Sequence, residues 1–243
     1  MGLLHKLFKK EPAEPAACSV VIVAAGRSAR MGGIDKVLCP LGNEPMLLHT
    51  LRPFQNSEMV QEIILVTRED LILPLGELCR EHEMTKVKRV VKGGESRTES
   101  VLAGIRETDS KTALIAIHDG ARPFVTAEVL ETAIDMAAKT SAAAPVIPVK
   151  DTIKRAKNGV VLETPNRSEL FGVQTPQVFE ASLIRVALTK MLEKGETATD
   201  DCAAVEQLGF PVHLTQGSEE NIKITTPADL VYGEAILASR ERR

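Results

Sequence analysis

Aromatic residues are scarce: six Phe, one Tyr and no Trp among 243 residues, 3% of the chain. Stacking platforms for single-stranded nucleic acid are built from such rings, so that function is disfavoured. No surplus of positive charge compensates. Thirty basic against 33 acidic residues give a formal charge of −3, without the basic footprint of a nucleic-acid binder. Apolar runs are short of the ~20 residues a spanning helix needs, so no membrane span is expected. The four cysteines (Cys18, Cys39, Cys79, Cys202) form no Cys-x-x-Cys pair and read as buried thiols, not as a zinc or disulfide framework. Met1–Lys10 lacks the apolar core, about 7–15 residues, of a secretory leader, and the expected compartment is the cytoplasm.

What is present is a globular composition, 44% hydrophobic and 26% charged, long enough for one large domain. Residues 1–17 stand apart as a leader, disordered or weakly helical, with a basic amphipathic start and the linker-like EPAEPAA. From Cys18 onward, strand-length apolar runs alternate with helical stripes. Ser19–Ala25, Glu62–Thr67, Val87–Val91 and Ala113–Ile117 read as strands. Met46 to Phe54, Leu71–Arg80, Val101 to Ile105 and Val129 to Ala137 read as helices between or after them. This alternation predicts an α/β domain with a mostly parallel sheet and right-handed crossovers. The rhythm breaks over about residues 149–171, where Asn158-Gly159 signals a hairpin that projects as an arm able to pair with a second subunit. A helix at Ala181–Leu192, a strand near Val212–Thr215 and a helix from Pro227 complete the chain.

Ligands of open α/β sheets bind beyond the carboxyl ends of the strands. After the first strand comes Ala24-Ala25-Gly26, then Arg30 and Lys36, small residues and cations suited to a phosphate. Neither the P-loop nor the dinucleotide fingerprint is matched, and the same loop reads as a solvated turn. After the third strand, Gly93-Gly94 leads to Ser96, Glu99 and Ser100, with a capping box expected from Ser96 and Glu99. After the fourth, His118-Asp119-Gly120-Ala121-Arg122-Pro123 offers one carboxylate suited to Mg²⁺; alternatively Asp119 caps a turn and pairs with Arg122. His118 reads as a satisfied core residue more readily than as a proton carrier. Asn221–Thr225 is expected to be a short strand that carries Lys223 on one face. Loop cations around one carboxylate, with no His or Cys nucleophile pair, suggest chemistry on polyphosphate, which needs alignment and charge neutralisation.

These residues resemble a known family. Ala24-Ala25-Gly26, Arg30-Met31, Lys36, Gly93-Gly94, Arg97, Ser100, HDGARP at 118–123, Asp151-Thr152, QTPQ at 174–177, TDD at 199–201 and NIKIT at 221–225 stand in the order and spacing of the 2-C-methyl-D-erythritol 4-phosphate cytidylyltransferases. The resemblance runs from about Cys18 to Leu237. It implies a single Rossmann-like nucleotidyltransferase domain over residues 18–243, a homodimer joined through the arm, and transfer of CMP from CTP to 2-C-methyl-D-erythritol 4-phosphate with Mg²⁺ and release of pyrophosphate. It further implies that Arg30, Lys36, Arg167 and Lys223 are catalytic, that Ala24, Ala25, Gly26, Gly94 and Ser100 bind the nucleotide, and that Asp119 holds the metal. Arg122, Thr152, Thr175 and Thr199 match acceptor-binding positions, and Thr152 and Arg167 would serve the neighbouring subunit. Ribitol 5-phosphate cytidylyltransferases share most of these motifs, so ribitol 5-phosphate is the alternative acceptor. A nucleotide-binding module without activity and a transferase of another nucleotide are the remaining readings.

Overall fold

The computed structural model describes residues 17–26, 35–196 and 198–242, with Lys36 described for its backbone alone. Arg30 and the leader up to residue 16 therefore lie outside the described residues. The strands are β1 (Cys18–Val23), β2 (Pro40–Leu41), β3 (Glu44–Pro45), β4 (Val60–Thr67), β5 (Val87–Lys92), β6 (Leu114–Asp119), β7 (Ala142–Pro148), β8 (Arg155–Lys157), β9 (Val160–Glu163), β10 (Phe171–Val173), β11 (Gln177–Glu180) and β12 (His213–Gln216). The helices are α1 (Met46–Asn56), α2 (Ile72–Glu81), α3 (Arg97–Arg106), α4 (Ala127–Thr140), α5 (Ala181–Glu193), α6 (Asp201–Glu206) and α7 (Pro227–Arg240).

The β-branched run of β1 sits at the centre of an eight-stranded sheet because both its faces are covered. Val20 and Ile22 point into one core layer, closed by Leu47, Leu51 and Phe54 of α1 and by Leu130 and Ile134 of α4. Val21 points into the other, with Val101 and Ile105 of α3 and Ile184 and Leu188 of α5. Opposite orientation of successive residues is the pleat at work. Strand order is β10-β7-β11-β6-β1-β4-β5, and β12 pairs with β7. The run β6-β1-β4-β5 is parallel, whereas β11 and β10 are antiparallel to their neighbours. No described helix is long and apolar enough to cross a membrane.

Three expectations are corrected. Strand β7 was not foreseen, since AAAPVIP is alanine-rich and broken by prolines; its first five residues are buried and it pairs with β10, β11 and β12. Asn221–Thr225 forms no strand but an extended loop, held by the Ile224 N–H to Ala121 O at 2.8 Å. Ile224 is nevertheless buried beside Leu41, Met46 and Phe124, so Lys223 faces the other way as alternation requires. The hairpin occupies only residues 155–163 of the segment 149–171. Its strands β8 and β9 are exposed throughout and form a separate two-stranded sheet. Asn158 and Gly159 both adopt positive φ (53° and 77°), the requirement of a tight two-residue turn.

Register places Val23 beside both Val66 and Asp119, and Thr67 beside Lys92. The carboxyl ends of four parallel strands thus form one rim. Gly104 lets α3 press onto the strands behind it: a Cβ there would meet Val21 Cγ1 at 2.5 Å and Val66 Cγ2 at 2.6 Å. Gly104→Ala gains helix propensity, up to about 1 kcal/mol, but overpacks the core at about 1–3 kcal/mol. A net loss of about 1–2 kcal/mol is expected, read as a lower urea midpoint at constant m-value.

Candidate active site

A cleft of about 1070 Å³ opens over this rim. Its walls come from the ends of β1, β4, β5 and β6 and from the loop that carries Lys223. One wall is the Gly93-Gly94 loop. A Cβ on Gly93 would lie 2.8 Å from Ala25 Cβ, and one on Gly94 would lie 2.3 Å from Glu99 Cβ, so the close approach needs glycine at both positions. The α3 N-terminus behind it is capped as expected: Ser96 Oγ accepts the Glu99 N–H, and Glu99 Oε2 accepts those of Ser96 and Glu95. Ser100 Oγ accepts the Gly94 N–H at 3.1 Å and donates to Ser96 O at 2.9 Å, which locks the loop from below.

The floor is a charge network around Asp119, whose side chain is only 11% exposed. Its Oδ2 lies 2.9 Å from Lys223 Nζ and 3.4 Å from Arg122 Nε, and its Oδ1 lies 3.8 Å from an Arg97 nitrogen. Arg97 also grips Asp201 with both terminal nitrogens, at 2.8 and 2.7 Å, and that carboxylate is fully buried. Three cations therefore meet Asp119 and Asp201, and a third carboxylate, Asp200, acts on both Arg97 and Asp201, so the cluster is near charge balance. Burial opposes ionisation of Asp119, but Lys223, Arg97 and Arg122 together outweigh it and hold its carboxyl down at about 2. Asp201 shifts upward, because burial penalises its charge more than Arg97 relieves it.

His118 lies under this floor, fully buried. Thr175 Oγ1 accepts the Asp119 N–H at 3.1 Å, so its own proton goes to His118 Nδ1 at 2.9 Å, and His118 Nε2–H donates to Arg122 O at 3.1 Å. This chain of bonds assigns a neutral imidazole with its proton on Nε2. Burial depresses its pKa to about 4, so it packs as a core residue against Phe54.

Ala24, Ala25, Gly26, Gly94, Ser100, Asp119 and Lys223 come together on the cleft. Lys36 opens the short turn Lys36–Leu38, and the adjoining Asp35 and Val37 reach the wall. Other expected residues stand elsewhere. Arg122 belongs to the charge network of the floor but does not line the cleft, and it donates to Asn221 O at 2.7 Å, while Thr175 is buried behind Asp119 with its hydroxyl engaged on both sides. Thr199 is exposed just before α6, while Thr152 and Arg167 are exposed on the hairpin segment, where Arg167 donates to Lys150 O at 2.8 Å. Sequence reasoning gave no site role to Arg97 and Asp201. It also passed over Arg68, Glu69 and Asp70, although these follow β4 and line the cleft. The rule that examines the residues after each strand would have found them.

Comparison with known proteins bears on this arrangement. A family model described as 2-C-methyl-D-erythritol 4-phosphate cytidylyltransferase matches residues 18–239. The chain belongs to this family. A relative from Halalkalibacterium halodurans bearing that name is 46% identical over 226 residues, covering 93% of this chain and 99% of the relative. Another from Caldanaerobacter subterraneus is 46% identical over 90% of this chain. Among solved structures, a 4-diphosphocytidyl-2C-methyl-D-erythritol synthase from Anaerococcus prevotii is similar at a TM-score of 0.83 and 30% identity, over 93% of this chain and all of that one. The Thermus thermophilus family member gives 0.74 at 30% identity, over 90% of this chain and 98% of its own. Membership in this family supports 2-C-methyl-D-erythritol 4-phosphate as the acceptor and does not favour the ribitol 5-phosphate alternative.

The His118 geometry carries a pH dependence. Its pKa of about 4 lies below the ordinary value near 6.5. Between these values the unfolded chain binds a proton that the native state refuses, so stability falls as pH falls from 6.5 towards 4. The slope is about 1.4 kcal/mol per pH unit, or about 2 kcal/mol between pH 6.5 and 5. Asp119 stays ionised across this window and adds nothing to the slope. Urea midpoints over pH 5–7 should show the loss, and His118→Gln should flatten it.

Proposed function

We propose that this cleft is where the enzyme, a 2-C-methyl-D-erythritol 4-phosphate cytidylyltransferase, binds CTP and transfers its cytidylyl group. The observation that carries the reading is the convergence of Lys223, Arg97 and Arg122 on Asp119 at the rim of four parallel strands, with Lys223 partly exposed to the cleft. The reacting partners are two anions. Unit charges ~4 Å apart repel by about 4 kcal/mol at an effective dielectric near 20, so cancelling that repulsion is the first task of the site. An oxygen of the acceptor phosphate attacks the α-phosphorus, the bond to the bridging oxygen breaks, and its electron pair leaves with pyrophosphate. The nucleophile is already ionised near pH 7, so no general base is required. That agrees with a neutral, buried His118.

Arg30 and Lys36 neutralise the triphosphate in this reading, while Lys223 and Arg167 position the attacking phosphate. Ala24, Ala25, Gly26 and Gly94 surround the nucleoside, with Ser100 fixing the Gly94 backbone. Thr175 holds Asp119 through its N–H, and Arg122 steadies both Asp119 and the Lys223 loop through Asn221 O. No group of three or more His, Cys, Asp or Glu among the described residues could cage a metal. Asp119 still fits Mg²⁺ as a single protein ligand, because that ion keeps waters and takes its other oxygens from substrate phosphates. Bound there, Mg²⁺ would add positive charge along the triphosphate.

We extend the proposal to a homodimer. Val160, Val161 and Leu162 on β9 are 52–65% exposed, and Ile153, Phe171 and Val173 nearby are also exposed. A second copy that covers them would bring Thr152, Arg167 and Thr199 into an acceptor pocket that one chain leaves open. Val161→Asp is expected to shift the mass from dimer to monomer in sedimentation equilibrium, with loss of turnover. An unchanged dimer mass would remove the arm from the interface.

Pyrophosphate release with CTP should be rapid with 2-C-methyl-D-erythritol 4-phosphate and slow with ribitol 5-phosphate. Lys36→Ala and Lys223→Ala should each lower kcat by about 10²–10³-fold, the range for removal of one charge-stabilising donor. Near-normal rates in both would end the assignment of roles.

A further inference from the structure

Arg68 lines the cleft, yet its guanidinium is already engaged. It follows β4 directly. Nη1 donates to Asp35 Oδ1 at 2.5 Å and Nη2 to Asp35 Oδ2 at 3.0 Å. Nε and Nη2 reach Asp70 Oδ1 and Oδ2 at 3.1 and 2.8 Å. A planar fork that holds both oxygens of one carboxylate fixes orientation as well as distance. The two ends of the Asp35 contact are 33 residues apart and sit beyond neighbouring strands, so no local structure imposes it.

Asp35 has a second task. Its carbonyl accepts the N–H groups of Leu38 at 2.9 Å and Cys39 at 3.0 Å, which opens the turn Lys36–Leu38. On the other side of Lys36, Val37 and Cys39 are buried. The Lys36 backbone is thus anchored twice, into the core through Val37 and onto the end of β4 through Asp35. The core anchor fixes depth. Only the Arg68 contact ties the turn sideways to the neighbouring strand end among the hydrogen bonds of Asp35.

We infer that Arg68 is a positioning residue for the transfer reaction: its grip on Asp35 fixes the backbone from which Lys36 works. The inference rests on the role proposed above for Lys36. Two carboxylates around one guanidinium leave the cluster negative, so Arg68 does not serve as a phosphate ligand in the way Lys223 does. Its contribution is alignment. In-line displacement is sensitive to it, and a misplacement of ~1 Å can cost about 10²-fold in rate.

Arg68→Lys keeps the charge and loses the fork, while Asp35→Asn keeps the shape and loses the ion pair. Both should lower kcat by about tenfold or more, with CTP affinity by calorimetry within about threefold of wild type and the thermal midpoint little changed. Hydrogen exchange at the Leu38 and Cys39 amides should quicken in Arg68→Lys. Combined with Lys36→Ala, Arg68→Lys should cost no further rate. Wild-type kcat in both single variants would overturn the inference. So would a loss of CTP affinity in Arg68→Lys with a gain in Asp35→Asn, since that pattern makes Arg68 a phosphate ligand. A further rate loss on the Lys36→Ala background would overturn the link to Lys36. The two readings fail separately: wild-type turnover in Lys36→Ala removes the role of that lysine, whereas unchanged exchange in Arg68→Lys removes the clamp.

Discussion

A carboxylate that is nearly out of water must be surrounded by positive charge or lose its own. Asp119 meets that demand with Lys223, Arg122 and Arg97, and much of the site's layout follows. Arg97 is the first residue of α3, Arg122 belongs to the turn after β6, and Lys223 comes from the loop before α7. Three segments distant in sequence are therefore held at one point. A second buried carboxylate, Asp201, shares Arg97 and ties the network to the start of α6.

A chain of hydrogen bonds runs beneath this network, although the buried Asn221 Oδ1 finds no partner in it. Thr175 hands its proton to His118, His118 hands its own to Arg122 O, and Arg122 reaches on to Asn221 O. The Asn221 side-chain amide then donates to Thr175 O at 2.9 Å. Buried polar groups that lack partners are costly, whereas paired ones restrain one another. Rigidity is what this chemistry asks for. Two phosphates must be held in line, and the protein contributes placement and field instead of a covalent intermediate.

The same division runs through the cations of the cleft. Lys223 is 41% exposed and meets one carboxylate, so its charge is available to an incoming anion. Arg68 is surrounded by two carboxylates and serves the frame. Residue type alone would have placed them in one class. Their partners separate them.

Local signals in the sequence were sufficient for the central elements. The β-branched run at Ser19–Val23 could be nothing but a doubly covered strand, Asn158-Gly159 marked its turn, and Ser96 with Glu99 marked the start of α3. Short-range patterns report these features because each is fixed by neighbours within a few residues. Strand β7 was illegible, since its alanines and prolines are tolerated only through pairing with three distant strands. The NIKIT segment had strand-like alternation, but no partner strand lies beside it. Sequence singled out Asp119, Lys223 and the glycine loop, and these do line one cleft. Tertiary structure decided that Arg97 and Asp201 complete its floor and that Thr175 and His118 are its foundation. Contacts across 104 and 57 residues depend on how strands are ordered in the sheet, and no local pattern encodes that order.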